Sequence, residues 1–432
     1  MSQSQLSSRR GRGGALISEL RLQGRILRSL VGYAHLAARM RWSQEKLQTF
    51  QQARLKDALE RAASHVPFYK ARCPTDVTDL HRWPLTTRHD LQTTPVAQLL
   101  DEEVSPGDCS VLTTSGSTGE PLRVCYTQAD LQLRWLYFVR MFRAYNLEFI
   151  CRLAEIGQYK TSRAFIPGQR WSVDQRSFIS VRDPVDARLE LMARSDPEAI
   201  IGYTSDLSEM AARSCARGLS FPSLRVVIGV GETMGSVERK NIRDGWAVDA
   251  YDSYGAVEVG NIAFECPHRS GGYHIHSDYL LVEVLRADGS PAMEGEIGEV
   301  VVTALSRRAM PMVRYQLGDL AALGPPCRCG SALPILEQLR GRNDDVITLS
   351  SGRRLTPQAV IRVFCGSGIR RYRLRQHAAG RFTLEIDGNA EAVACASRGF
   401  QEILEPGDHL EVIPVTLSSG RSNDRTIVVE AS

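Results

Sequence analysis

Lysine is scarce in this chain. The 432 residues hold five, at positions 46, 56, 70, 160 and 240, and none follows Lys240. Any positive charge needed later in the chain must come from arginine or histidine. Long apolar runs are missing too. No stretch of about 18 apolar residues occurs, which excludes a membrane-spanning helix. The opening "MSQSQLSSRRGRGGALISEL" lacks a continuous apolar segment followed by a small-residue cleavage site, so no secretory signal is read there. Ten cysteines are too few for a disulfide scaffold of this length, and reduced thiols are expected. Together these absences predict a cytoplasmic protein. No internal repeat is evident.

What is present is unevenly spread. Residues 1–41 carry eight arginines against the single acid Glu19, while the whole chain is only +4, so the remainder is net negative. The plain reading of residues 1–42 is a solvated, partly disordered basic leader. Leu16, Ile17, Leu20, Ile26, Leu27 and Leu30 add amphipathic character, which leaves weak contact with an anionic membrane surface open. Aromatic residues are not interleaved with the arginines up to Arg28, which argues against nucleic acid as a partner.

Ser43 followed by apolar residues at helical spacing predicts a helix over 43–66, ended by Pro67. A second, aromatic-rich helix is predicted over 128–144. From 150 to 260 short apolar runs such as "RVVIGVG" alternate with helical patterns, the signature of a mostly parallel sheet flanked by helices. After 270 two β-rich runs flank the turn "ADGSP" and suggest an antiparallel, barrel-like portion. The fold class is therefore α/β: layered sheets plus a distorted β-barrel in a large unit over 43–341, then a small α+β unit over 342–432. The boundary is placed near Arg342–Asp345.

Four stretches carry candidate chemistry, and each has a bland alternative. The run Thr113–Gly119 in "VLTTSGSTGEP" contains only glycine and hydroxyl residues. Such a loop lets backbone N–H groups and hydroxyls surround phosphate, although linkers look alike. It is not a Walker loop, because no Gly-Lys-Ser/Thr follows. In "YDSYGAVEVG", Tyr254 could stack on a base, Gly255 could give clearance and Glu258 could hold a metal on phosphate; strand, turn and helix start is the alternative. In "MVRYQLGDLA", Asp319 after Gly318 could accept from ribose hydroxyls, or merely close a β-turn. In "LRGRNDDVI", Arg342 could reach phosphate or ribose and Asp344-Asp345 could form a hinge, with a solvated charged loop as the alternative.

In order and spacing these stretches resemble the adenylate-forming ligases, in particular the branch of phenylacetate–CoA ligase and the CapK-type proteins. The resemblance runs from "HVPFYK" through "TTSGSTGEP", "GVGETM", "YDSYGAVEVG", "EGEIGEVVVTAL" and "AMPMVRYQLGD" to "CRCGSALPILEQLRGRNDD". It implies ATP-dependent adenylation of a carboxylic acid, then transfer of the acyl group to CoA. Transfer to an amine or sugar is one alternative, and a nucleotide-binding protein with impaired catalysis is another. Thr114, Ser115, Gly116, Ser117, Thr118 and Gly119 would embrace the phosphates. Gly231 and Glu232 would flank the adenine, Tyr254 with Gly255 would stack on it, and Asp319 would bind ribose. Glu258 would serve Mg2+. Arg342 would lie at the hinge about which the small domain rotates.

The resemblance also implies a closed zinc site of Cys266, His274, Cys327 and Cys329, with His268 and His276 as alternative histidines; three sulfurs and an imidazole leave no open position, so the metal would be structural. One departure stands out. Family members carry a Gly-Lys near the C-terminus that contacts the reacting groups. Here Arg421 follows Gly420, and no shift of alignment can supply a lysine. Arginine keeps the charge but is bulkier and forked. The stretch around Gln158, Tyr159, Lys160 and Arg163 departs from the glycine-rich pattern of phenylacetate enzymes. It suggests either a polar acyl pocket or a solvated loop.

Overall fold

A computed structural model describes residues 31–114, 122–148, 151–157, 159, 162, 175–340, 347–355, 360, 371–415 and 425–429. Residues 1–30 of the leader expected over 1–42, the loop residues Ser115–Gly119, Gln158, Lys160, Arg163, Arg342 and Arg421 lie outside the described residues; residues 31–39 of that leader are helical, and Leu36 is buried in the core.

The predicted first helix is α1, Gln44–His65; the Ser43 side chain accepts from the Lys46 N–H and caps it. A short helix α2, Arg88–Thr93, opens with a capping box between Thr87 and Asp90. The hairpin β1 (Cys109–Thr113) and β2 (Arg123–Thr127) follows, with Cys109 paired to Thr127 and Thr113 to Arg123. Then comes α3, Gln128–Ala144, over the predicted range and again closed by a capping box, Thr127 with Asp130.

Next are β3 (Leu153–Gly157), β4 (Arg176–Ser180), α4 (Val185–Ser195), β5 (Ala199–Tyr203), α5 (Thr204–Arg217), β6 (Val226–Val230), α6 (Ser236–Trp246) and β7 (Asp249–Ala256). The antiparallel part is β8 (Gly260–Cys266), β9 (Arg269–Ile275), β10 (Leu280–Leu285), β11 (Gly298–Ala304), β12 (Tyr315–Gly324) and β13 (Ile335–Glu337). All join one sheet of eleven strands, ordered β10-β11-β12-β13-β9-β8-β7-β6-β5-β3-β4. Strands β4, β3, β5, β6 and β7 are parallel; β8 reverses direction against β7. The antiparallel portion expected as a barrel thus continues the parallel sheet through the three-residue β13.

Alternation explains how the parallel part is buried. Leu153, Ala199, Ile201, Val226 and Ile228 pack on one face with Val139, Met141 and Phe142 of α3. Ala154, Ile156, Ile200 and Val227 pack on the other with Leu189, Met192, Leu207, Met210 and Ile242 of α4, α5 and α6. With both faces covered the strands read as continuous apolar runs. The ends of β5, β6 and β7 then open on the loops that carry Gly231, Glu232 and Glu258.

The C-terminal residues contain the two-residue strands β14 (Ile347–Thr348) and β15 (Arg354–Leu355), and β16 (Arg371–Ala378), β17 (Arg381–Asp387), α7 (Ala390–Gln401), β18 (His409–Pro414) and β19 (Arg425–Val429). The last four strands form their own sheet, β18-β17-β16-β19. Its core, with Leu374, Leu384, Ile386 and Phe400, is built only from residues after 346. No helix among the described residues is long and apolar enough to cross a membrane.

Candidate functional site

The base of the hydroxyl-rich loop is fixed from both ends. The Thr114 N–H donates to the Leu122 carbonyl at 3.0 Å, and the Leu122 N–H donates back to the Thr114 hydroxyl at 3.0 Å. This pair continues the β1–β2 ladder by one step on each strand. The Thr114 hydroxyl also accepts from Arg88 Nη2 at 2.8 Å. The same guanidinium donates through Nη1 to Glu258 Oε1 at 3.1 Å, and the Tyr315 hydroxyl reaches that oxygen at 3.2 Å. The Glu258 side chain is only 7% exposed. Its second oxygen has no protein partner among the described residues. Two cations steady the backbone behind it: Arg307 donates to the Glu258 carbonyl, and Arg134 donates to that of Val257 at 2.8 Å.

Asp319 stands in a bulge. Glu299 pairs with Leu320 and Val301 with Gln316, so Leu317, Gly318 and Asp319 face Val300 alone. Gly318 takes φ +79°, where a side chain would be strained. The bulge turns the Asp319 carboxylate to the Tyr254 hydroxyl, which donates at 2.7 Å. Gly255 earns its place differently from the clearance expected for a base. A Cβ there would lie 2.7 Å from the Gly260 carbonyl oxygen of the facing strand.

Gly231 adopts φ +76° and lies under the Tyr203 ring, 3.2 Å from where its Cβ would be. The carboxylate of Glu232 faces α5. It accepts from the Ser205 N–H at 2.8 Å and from the Ser205 hydroxyl at 3.1 Å. An acid at a helix N-terminus satisfies donors the helix cannot. Two residues on, the Met234 N–H donates to Asp252 Oδ2 at 3.0 Å, and the Tyr273 hydroxyl reaches the same oxygen at 2.9 Å. Asp252 therefore ties the 231–234 loop to the strand bearing Tyr254. Burial pushes its carboxyl up to about 6.

The sequence-predicted residues Thr114, Glu258, Tyr254 and Asp319 are thus brought together from three places in the chain, Thr114 and Glu258 through Arg88 and Tyr254 directly with Asp319. Arg88, Tyr315 and Asp252 were not singled out by sequence reasoning. Tyr315 and Asp252 sit inside the motifs already quoted. Arg88 had no local signal beyond the helix start at Thr87. Tyr159 is half-buried and donates to Glu155 Oε1 at 2.6 Å. Burial, with Glu155 beside it, raises its hydroxyl well above the usual range.

A second cluster lies at the far ends of β8 and β9. One donor atom each from Cys266, His274, Cys327 and Cys329 lies within 4.8 Å of the others. Cys266 Sγ is 3.6 Å from Cys327 Sγ, and Cys329 Sγ is 3.3 Å from His274 Nε2. Tetrahedral zinc bonds predict edges of about 3.8 Å for two sulfurs and about 3.6 Å for sulfur and nitrogen. The donor set and its spacing fit that ion. Neither alternative histidine joins the cluster. His268 is exposed and only its backbone N–H touches Cys266 Sγ, at 3.4 Å. His276 is fully buried against Arg140, where burial and that cation push its pKa well down.

Comparison with known proteins follows the same lines. No family model matches the chain. The phenylacetate–coenzyme A ligase of Escherichia coli (strain K12) is 28% identical over 347 residues, 71% of this chain and 74% of that protein. The phenylacetate–coenzyme A ligase of Thermus thermophilus is 28% identical over 325 residues, 71% and 72% of the two chains. Among solved structures, 2-hydroxyisobutyryl-CoA ligase in its postadenylation state with R3-HIB-AMP superposes with a TM-score of 0.68 at 20% identity, covering 88% of each chain. The anthranilate CoA ligase with anthranoyl-AMP superposes with a TM-score of 0.51 at 12% identity, over 73% of this chain and 64% of that one. The chain is thus similar in sequence to phenylacetate–coenzyme A ligases over about seven-tenths of its length, and it has the fold of adenylate-forming CoA ligases.

Proposed function

We propose that this chain is an AMP-forming acid ligase. It would activate a small-molecule carboxylic acid with ATP and pass the acyl group to CoA. The observation that carries the reading is the meeting of Thr114, Arg88, Glu258 and Tyr315 at one end of the site and of Tyr254 and Asp319 at the other. These are hydrogen-bonding groups suited to the phosphate and sugar ends of one nucleotide. In the reaction a carboxylate oxygen attacks the α-phosphorus, and the bond to the β-phosphate breaks with release of pyrophosphate. The CoA thiol, losing its proton, then displaces AMP from the acyl carbon. The chain's task is to hold the reacting oxygens in line and to oppose growing charge with fixed donors.

Within this reading Tyr254 lies against the adenine, Asp319 accepts from ribose and Thr114 opens the phosphate loop. The free oxygen of Glu258 is a hard, buried-side acceptor suited to Mg2+, which when bound would neutralise phosphate charge. Cys266, His274, Cys327 and Cys329 would hold a structural Zn2+ that pins β8 and β9 to the turn before β13. Arg421 takes the place of the C-terminal lysine, and Arg342 the hinge between units divided near residue 342. The setting in this reading is cytoplasmic, where thiols stay reduced.

The test is pyrophosphate release from ATP by the purified chain across a panel of carboxylic acids, with and without CoA. An acid-dependent signal whose acyl product requires CoA supports the ligase. Acid-dependent pyrophosphate with a product formed on an amine or sugar instead redirects the second step. The missing C-terminal lysine favours one rival, nucleotide binding without turnover, in which no acid in the panel releases pyrophosphate.

A further inference from the structure

Arg88 lies outside every motif of the sequence, yet it is the side chain that joins the phosphate loop to Glu258. It stands 26 residues before Thr114 and 170 before Glu258. Its position is over-determined. Thr86 forms a bridge with Tyr315, its N–H donating to the Arg314 carbonyl at 2.9 Å and its carbonyl accepting from Gln316 at 2.9 Å. Thr87 and Asp90 then start α2, and Arg72 pairs with Asp90 at 3.5 Å. Residue 88 is thereby set beside the strand that carries Tyr315 and Asp319.

The contacts leave the guanidinium with donors to spare. Of five N–H groups, one serves Thr114 and one serves Glu258. The Thr114 hydroxyl accepts from both Arg88 and Leu122, so its own hydrogen is also free to donate. Of the other guanidinia nearby, Arg307 donates to the carbonyls of Glu258 and Cys125, and Arg134 to the Val257 carbonyl and the Tyr126 hydroxyl. The loop itself, from Val111 to Pro121, contains no lysine or arginine. A cation that is planar, forked and never deprotonated is the side chain best matched to phosphate oxygens.

Resting on the proposed function, we infer that Arg88 is a phosphate-binding residue of this site, donating to the nucleotide's phosphates beyond the α-position. The order of contacts gives the direction. Tyr254 and Asp319 define the nucleoside end, and Arg88 sits past Glu258 at the mouth of the loop. Glu258 and Thr114 hold the guanidinium ready, so little side-chain freedom is lost when the phosphates arrive.

Binding of ATP and of AMP, each with Mg2+ and measured by calorimetry on the full chain, tests this. In Arg88→Ala, ATP should weaken by about tenfold or more, because charge-assisted bonds are lost. AMP lacks the outer phosphates and should stay within about twofold of wild type. Arg88→Lys should recover a large part of the ATP preference, since the charge returns without the fork. If Arg88→Ala does not fold, Arg88→Gln supplies the same ATP-to-AMP comparison without the charge. Equal weakening of ATP and AMP would make Arg88 a strut for Glu258 and Thr114 and overturn the assignment, as would unchanged ATP binding. Failure of the wild-type chain to bind either nucleotide removes the proposed function itself, an outcome distinct from both.

Discussion

Replacing Asp252 by alanine separates what a buried carboxylate costs from what it positions. Asp252 is 2% exposed and accepts from Met234 N–H and from the Tyr273 hydroxyl. Removing it strands these two and the Ser253 N–H, which donates at 2.9 Å, each buried donor worth about 1–3 kcal/mol. Against this, the carboxyl is held up to about 6 from an ordinary 3.8, chiefly by desolvation and further by Glu265. The hydrogen bonds from Met234, Tyr273 and Ser253 only partly oppose that rise. A raised folded-state pKa means the associated stability is complete below pH 4 and is lost as pH climbs through 6. Integrating the linkage, wild type should lose on the order of 1 kcal/mol relative to Asp252→Ala between pH 5 and pH 7.5. Urea denaturation of both proteins at those two pH values reads the difference directly. The alanine variant should be less stable at each, by a margin that narrows at the higher pH. The same variant should bind ATP more weakly, because the 231–234 loop loses its tie to the Tyr254 strand. Stability differences that do not change with pH would refute the desolvation argument. An unchanged ATP affinity would refute the positioning one.

Three further outcomes are expected. Purified protein should carry about one zinc per chain by atomic emission; Cys329→Ser should lose it and melt earlier, while His268→Asn should retain it. For Arg421, lysine should sustain acid-dependent pyrophosphate release and alanine should lower it by about tenfold or more; an unaffected alanine variant removes this residue from the reaction. Tyr254→Phe keeps the ring and loses the hydroxyl that donates to Asp319, so AMP affinity should fall less than in Tyr254→Ala, where stacking of about 1–3 kcal/mol is lost. Equal losses in the two would assign the effect to the hydroxyl.

How much of this was legible in the sequence depends on how far apart the partners stand. Helix α3 was readable to its ends, because Thr127 and Asp130 form a local capping box before a periodic apolar face. The strand at 226–230 was readable because both its faces are buried. The thiol cluster was expected from the family resemblance, which sets a Cys-x-Cys pair beside one earlier cysteine and a histidine. The choice of histidine was settled by packing. His274 lies on β9 within reach of Cys329, whereas His276 follows the strand's end and meets Arg140 and Tyr137. Arg88 was not readable at all. Its significance lies wholly in two partners far along the chain, and nothing around residue 88 encodes them. Glu232 was legible as part of "GVGET" but not in its task. Only the fold reveals that its carboxylate caps the start of α5, 27 residues earlier in the chain.

The two ends of the site are set by one strand, and the backbone of that strand shows how. Arg314, just before β12, takes φ +45°, a left-handed conformation costing on the order of 1–3 kcal/mol for a non-glycine residue. It is buried and held on every side. Glu283 pairs with its guanidinium at 3.1 Å, the Trp83 carbonyl accepts from it at 2.9 Å, and the Thr303 hydroxyl accepts its N–H at 3.0 Å. After this kink Tyr315 faces Glu258, and after the bulge at Gly318 Asp319 faces Tyr254. Two local distortions four residues apart therefore aim two side chains of a single strand at opposite ends of the site. The first distortion is stabilised by residues 81–86, the segment that also delivers Arg88. The N-terminal part of the chain thus acts on the site twice, once through its own guanidinium and once by sustaining the kink that orients Tyr315.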